Sequence, residues 1–188
     1  MKERIMVAFI EEVQRKGIKF TMDELAENLG VSKRTIYEHY SSKKDILDEI
    51  IIKSFHDIEE KEKIILDKQD ISTIQKIKEV LIIVPTFFDL YDQQILDQMK
   101  KYYPEQWEKV MFGLNNTWNN LRSLLEKGVE EGVIKEFNFN IVMKLISNGT
   151  HWFFDQNYLI KHNINLTEAF TTVGEILLFG LVKEGLTP

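Results

Sequence analysis

Between Gly30 and Lys44 the chain sets four cations, Lys33, Arg34, Lys43 and Lys44, against one acid, Glu38, giving a local charge of +3. A compact basic face of this kind suits phosphate binding, because each cation that meets a phosphate releases a condensed counterion. Arg34 offers two parallel donors for a guanine edge, and Thr35 offers a methyl for thymine. Lys33, Arg34, Thr35 and Tyr37 share an outward side if Ile36 and Tyr40, four residues apart, face a core.

Such a face needs a short helix held at a fixed angle, and the preceding residues supply one. Thr21-Met22-Asp23-Glu24 is a capping box, in which the threonine hydroxyl and the glutamate carboxylate each satisfy a free amide at the helix start. The helix opened at Met22 buries Leu25, Ala26 and Leu29 and stops at Gly30, which takes positive φ without a Cβ clash. Ser32 caps the next helix. With only Gly30 and Val31 between them, the two helices meet steeply, which is helix-turn-helix geometry. A two-turn helix over Ser32 to His39 fits a major groove about 12 Å wide. Upstream, Lys2 to Lys16 carries Ile5, Phe9 and Val13 on one side, with Gly17 in the place of a left-handed C-cap.

The stretch from Thr21 to Leu47, TMDELAENLGVSKRTIYEHYSSKKDIL, resembles the DNA-binding signature of the TetR (tetracycline-repressor-like) family. The matching elements are the capped helix with Leu25-Ala26, the turn Gly30-Val31-Ser32, then Thr35-Ile36-Tyr37, Tyr40, and the run Ser42 to Leu47. Beyond it, the similarity is of architecture, of Tyr102-Tyr103-Pro104 and of Glu126 to Ile134. The resemblance implies phosphate contacts from Thr21, Tyr37, His39 and Lys43. The candidate DNA contacts are then Thr21, Ser32, Lys33, Arg34, Thr35, Tyr37, His39 and Lys43. The plain structural alternatives are Tyr37 packed on the first helix, His39 merely exposed, and Lys43 a solvated loop charge. The resemblance also implies a C-terminal body that binds a small molecule and re-spaces two DNA-binding heads.

The remaining sequence is consistent with that body. Apolar residues recur at three and four throughout, without sustained alternation, so the chain reads as all-α with about nine helices. The expected architecture is an N-terminal three-helix helix-turn-helix head, residues 1–47, joined to a ligand-binding and dimerisation body of about six helices, residues 48–188. A long helix begins between Ser42 and Asp45. Pro85 divides or kinks the helical segment Ile71 to Tyr91. One long helix from Pro104 carries Trp107, Val110, Met111, Leu114, Trp118, Leu121, Leu125 and Val129, and Gly128 and Gly132 end it. Two apolar helices follow, near Asn140 to Ile160 and Thr167 to Lys183; paired, they form the interface of a homodimer.

The effector is expected to be apolar or aromatic. Phe88, Tyr91, Tyr103, Trp107, Trp118 and Trp152 are candidate pocket residues, against the plainer reading of such aromatics as ordinary core. His56 with Glu60 and His151 with Asp155 lie four apart, a spacing for metal ligation, but neither pair has further ligands in sequence. With 188 residues and no cysteine, thiolate zinc sites, disulfides and cysteine nucleophiles are excluded. No Gly-rich phosphate loop, nucleophile elbow or His-Glu-x-x-His helix is present, so neither catalysis nor a cofactor is expected. The net charge of −6 lies wholly outside residues 1–48, where nine basic side chains balance nine acidic ones. No apolar run is long enough to anchor in a membrane, and a cytoplasmic setting is expected. The leading function is a ligand-released repressor on a near-palindromic double-stranded DNA operator. The alternatives are an activator of the same build, or a helical interaction or small-molecule-binding module without DNA readout.

Overall fold

The computed structural model describes residues 1–87, 92–116, 118–151, 156–164 and 166–182. Its helices are α1 (Lys2–Lys16), α2 (Met22–Leu29), α3 (Lys33–Tyr37), α4 (Lys43–Asp67), α5 (Thr73–Leu81), α6 (Gln93–Tyr102), α7 (Pro104–Asn116), α8 (Asn119–Glu130), α9 (Phe139–His151), α10 (Gln156–Lys161) and α11 (Leu166–Leu181). Among the described residues no strand forms, and the single β-bridge joins Ile134 to Val182. The fold class is all-α, as the three-and-four periodicity requires. Among the described residues, no helix is long and apolar enough to cross a membrane.

The chain divides into two compact units: residues 1–56 with 85–113, and residues 57–84 with 114–188. In the first, α1 packs on α2 and α2 on α3. Ile5, Phe9, Leu25, Ile36, Ile46, Leu47 and Ile50 are all fully buried, each worth roughly 1.5–3 kcal/mol of transfer from water. In the second unit α5 packs on both α8 and α11. Ile77, Leu121, Leu125, Ile134, Ile146 and Leu178 form its core.

Several local expectations are corrected. The helix expected from Pro104 onward is broken between Asn116 and Asn119 into α7 and α8. The apolar period runs on through Leu114, Trp118 and Leu121, but Asn115-Asn116-Thr117 and Asn119-Asn120 are poor helix formers. Gly128 does not end α8. It lies inside the helix, where a Cβ would come within 2.5 Å of Ile134 Cγ1, so glycine permits the close approach of the following turn. Gly132, at φ 74°, makes that turn. Helix α5 stops at Leu81, the residue whose carbonyl would meet the Pro85 ring and find no amide donor there if the helix ran on. The helix expected near Asn140 to Ile160 is described as α9 and α10, with 152–155 outside the described residues.

Candidate nucleic-acid interface

The helix-turn-helix begins with the capping box. Thr21 Oγ1 accepts from the Glu24 amide at 3.2 Å, and Glu24 Oε2 accepts from the Thr21 amide at 2.7 Å. Lys16 reaches the same carboxylate at 2.9 Å. The Lys16 ammonium first, then the Thr21 donors, pull the Glu24 carboxyl down to about 2. The cap therefore also ties the end of α1 to the start of α2. At the other end of α2, Gly30 sits in the left-handed region, φ 64° and ψ 32°, and Val31 donates to the Ala26 carbonyl at 3.0 Å. Ser32 Oγ then accepts from the Thr35 amide at 3.1 Å and caps α3.

Helix α3 spans only Lys33–Tyr37, shorter than the two turns expected, with a tight turn through Glu38 and His39. Ile36 and Tyr40 are buried inward as their spacing requires. Lys33, Arg34, Tyr37 and His39 are exposed and Thr35 is half-buried. The Arg34 side chain is 89% exposed. Lys33 pairs with Asp23 of α2 at 2.6 Å, and that acid raises the lysine's pKa. Ser32 and Thr35 share a hydroxyl hydrogen bond of 2.8 Å. Thr21, Ser32, Lys33, Arg34, Thr35, Tyr37 and His39 thus lie on one helix-turn-helix, with cations and hydroxyl donors at the solvent side.

Lys43, the first residue of α4, is placed differently. Its ammonium donates to the carbonyls of Ile18 and Phe20, in the loop between α1 and α2, and lies 4.1 Å from the Phe20 ring centroid. Burial pulls its pKa down to about 8, with Glu24 pulling the other way. The same loop is held from another side by a residue that the sequence reading missed. The Ile18 amide donates to Gln98 Oε1 of α6 at 2.8 Å. Gly17 makes room for this amide: a Cβ there would lie 2.5 Å from Gln98 Oε1. Gly17 has positive φ, 73°, but ψ of −176°, so it is not the left-handed cap expected from sequence but an extended, glycine-only conformation. Beside it the Lys19 ammonium stands 4.7 Å over the Tyr102 ring. Glu12, fully buried on α1, is paired with Arg15 and, at 3.4 Å, with Lys16.

Among the aromatic ligand candidates, Phe88, Tyr91 and Trp152 fall outside the described residues, as does Asp155 of the His151 pair. Tyr103 and Trp107 are half-buried in the first unit. Burial pushes the Tyr103 phenol up, and Lys100 stands 5.8 Å over the Trp107 ring. Trp118 belongs to the second unit and packs on its core cluster. No group of three or more potential metal-ligating side chains occurs among the described residues.

Residues 5–50, which contain the whole helix-turn-helix, match the family of bacterial regulatory proteins named tetR. That segment is a tetR-family DNA-binding domain. Similarity extends beyond that segment. An uncharacterized HTH-type transcriptional regulator of Bacillus subtilis (strain 168), YvaF, is 25% identical over 184 residues, covering 98% of this chain and 97% of the relative. The tetR-family regulator PfmR of Thermus thermophilus shares the fold at a TM-score of 0.69 and 20% identity, covering 100% and 98% of the two chains. FadR of Bacillus subtilis, in complex with stearoyl-CoA, matches at a TM-score of 0.69 and 22% identity over 96% and 99%. The chain thus carries a tetR-family helix-turn-helix within residues 5–50 and has the fold of these regulators along its length.

Proposed function

We propose that this regulator is a ligand-released repressor that binds a near-palindromic operator as a homodimer. The observation that carries the DNA-binding part is the solvent side of α3, where an almost fully exposed Arg34 stands beside Lys33, Tyr37 and Thr35 on a doubly capped corner. Arg34 and Thr35 would read base edges. Thr21, Ser32, Tyr37 and His39 would meet phosphates and set register. Lys33 would leave Asp23 for a phosphate. Lys43 would act mainly by holding the loop that ends at Thr21, because it must release two carbonyls before it reaches DNA. Residues 1–47 are assigned to DNA binding and residues 48–188 to ligand binding and dimerisation.

One head touches too little DNA to be selective, so a two-fold partner is required. The second unit offers a face for it. Ile141 and Leu145 of α9 and Ile176 and Phe179 of α11 are all more than half exposed, whereas Ile146 and Leu178 of the same helices are buried in the core. Large exposed apolar side chains on these two helices suit an interaction surface. Ile176 and Phe179 also border an open hollow of about 430 Å³ with Lys78 and Glu175. In light scattering the wild type is expected to be a dimer. The variant Ile176→Lys with Phe179→Glu is expected to be a helical monomer whose operator affinity falls at least about tenfold, since both half-sites are no longer engaged together. A monomeric wild type, or a monomeric variant with undiminished operator affinity, would overturn the dimer model.

For the effector we favour an apolar chain or ring. The density of aromatics outside the head and the stearoyl-CoA complex of a fold neighbour support that class. Titration of the operator complex with stearoyl-CoA, a short-chain acyl-CoA and free coenzyme A tests it. Release by the long chain alone is expected, and equal release by coenzyme A would refute an apolar determinant.

A further inference from the structure

Glu38 is the one acid between Gly30 and Lys44, and on charge alone it opposes binding to a polyanion. Its position gives it a different use. It stands four residues after Arg34, and Oε1 accepts from Arg34 Nε at 3.1 Å. The two side chains are 58% and 89% exposed, so the contact is made at the solvent side of the recognition helix and its turn. Nε is the inner nitrogen of the guanidinium. A bond there leaves both terminal nitrogens, with four N–H donors, unspent. Bidentate contact with guanine O6 and N7 needs two parallel donors held in one plane. The other cation of the helix, Lys33, is engaged by Asp23 through its only charged group.

We propose that Glu38 is a specificity-determining positioning residue, which pins the Arg34 guanidinium by its inner edge and aims the terminal nitrogens at a guanine. The proposal rests on the DNA-binding role assigned above. In water an exposed ion pair of this kind contributes little to stability. Against DNA, where water is excluded, the same pair strengthens, neutralises the acid and fixes the guanidinium plane. Glu38 thus adds selectivity while subtracting from overall affinity.

The test is selection from random duplexes by the full-length protein, followed by affinity measurements on point variants of the selected site. Wild type, Glu38→Ala, Glu38→Gln, Arg34→Ala and the double alanine variant are compared, with helical content and melting temperature checked for each. At one base pair, Arg34→Ala is expected to lose discrimination by about 5- to 100-fold, the range of one bidentate contact. Glu38→Ala should lose most of the same discrimination, and the double variant no more than Arg34→Ala. Glu38→Gln should recover part of it, since its amide oxygen still accepts from Nε. If Glu38→Ala and Glu38→Gln both tighten binding to every sequence with base preference intact, the acid is merely repulsive and the proposal fails. If Glu38→Ala changes preference at a base pair that Arg34→Ala leaves alone, Glu38 reads a base itself and the proposal also fails. A wild type that enriches no sequence instead defeats the DNA-binding role, and the proposal with it.

Discussion

Gly17→Ala is the substitution that most sharply probes how the DNA-binding head is held. At φ 73° and ψ −176° an L-residue is strained, at about 1–3 kcal/mol. The new Cβ would also lie 2.5 Å from Gln98 Oε1 and 2.9 Å from Nε2, displacing the amide that accepts from Ile18 N–H. Losing that partner adds roughly 1 kcal/mol, since the Ile18 amide is left inside the protein. Gly17→Ala should therefore destabilise by about 2–4 kcal/mol. Gly30→Ala is the control: its φ is also positive, 64°, but nothing lies within 4 Å of an added Cβ, so only the left-handed backbone penalty of about 1–2 kcal/mol applies. Urea unfolding of both variants, alone and combined with Gln98→Ala, measures the difference. In the Gln98→Ala background the cost of Gly17→Ala should fall by about 1 kcal/mol while that of Gly30→Ala stays the same. Strictly additive effects, or equal costs for the two glycines in both backgrounds, would refute the placement of Gln98 over Gly17.

Three further predictions concern protons and caps. Glu24 is held at about 2 by Lys16 and Thr21, below its unfolded value of about 4.3, so its contribution is full above that value and lost as pH falls through 2. Between about pH 4.5 and 2 the stability gap between wild type and Glu24→Gln should narrow, and a constant gap in urea unfolding would contradict it. Thr21→Ala, which removes the other half of the box, should cost about 0.5–2 kcal/mol at neutral pH. Lys43 gives a slope of the same sign in a higher pH window, because burial disfavours its charged form. Its folded value of about 8 lies below the unfolded value near 10.4, so the unfolded chain binds more protons between them and stability rises with pH across that window. Wild type should gain on Lys43→Met from about pH 8 to 10.4, and parallel stability curves would refute the burial of this ammonium.

What could be read from the residues alone was local. The bounds of α1 and α2, the capping box at Thr21 and the left-handed Gly30 are all signalled within one or two turns of chain, and the structure places them as expected. The inward Ile36 and Tyr40 follow from spacing in the same way. Periodicity misled where propensity won: the apolar repeat passes straight through Trp118, while the asparagines around it end α7 and restart α8. Gly128 reads as a helix end because glycine usually ends helices, but its role depends on Ile134, which comes back over it. Gln98 left no local trace. It is one polar residue on an amphipathic helix, and its partner Ile18 stands 80 residues away. Lys43 was legible as a cation at a helix start, but its direction depends on two carbonyls of a loop whose path sequence does not show. The aromatic ligand candidates come from composition, which names residue types without bringing them together.

The central claim is that the solvent side of α3 reads DNA. The most direct measurement is the affinity of the full-length protein for a selected duplex and for a scrambled one across a salt series. We expect the selected duplex to bind at least about 10³-fold more tightly, and binding to both to fall steeply with salt as phosphate contacts require. Equal affinity for the two duplexes, or affinity indifferent to salt, would contradict it.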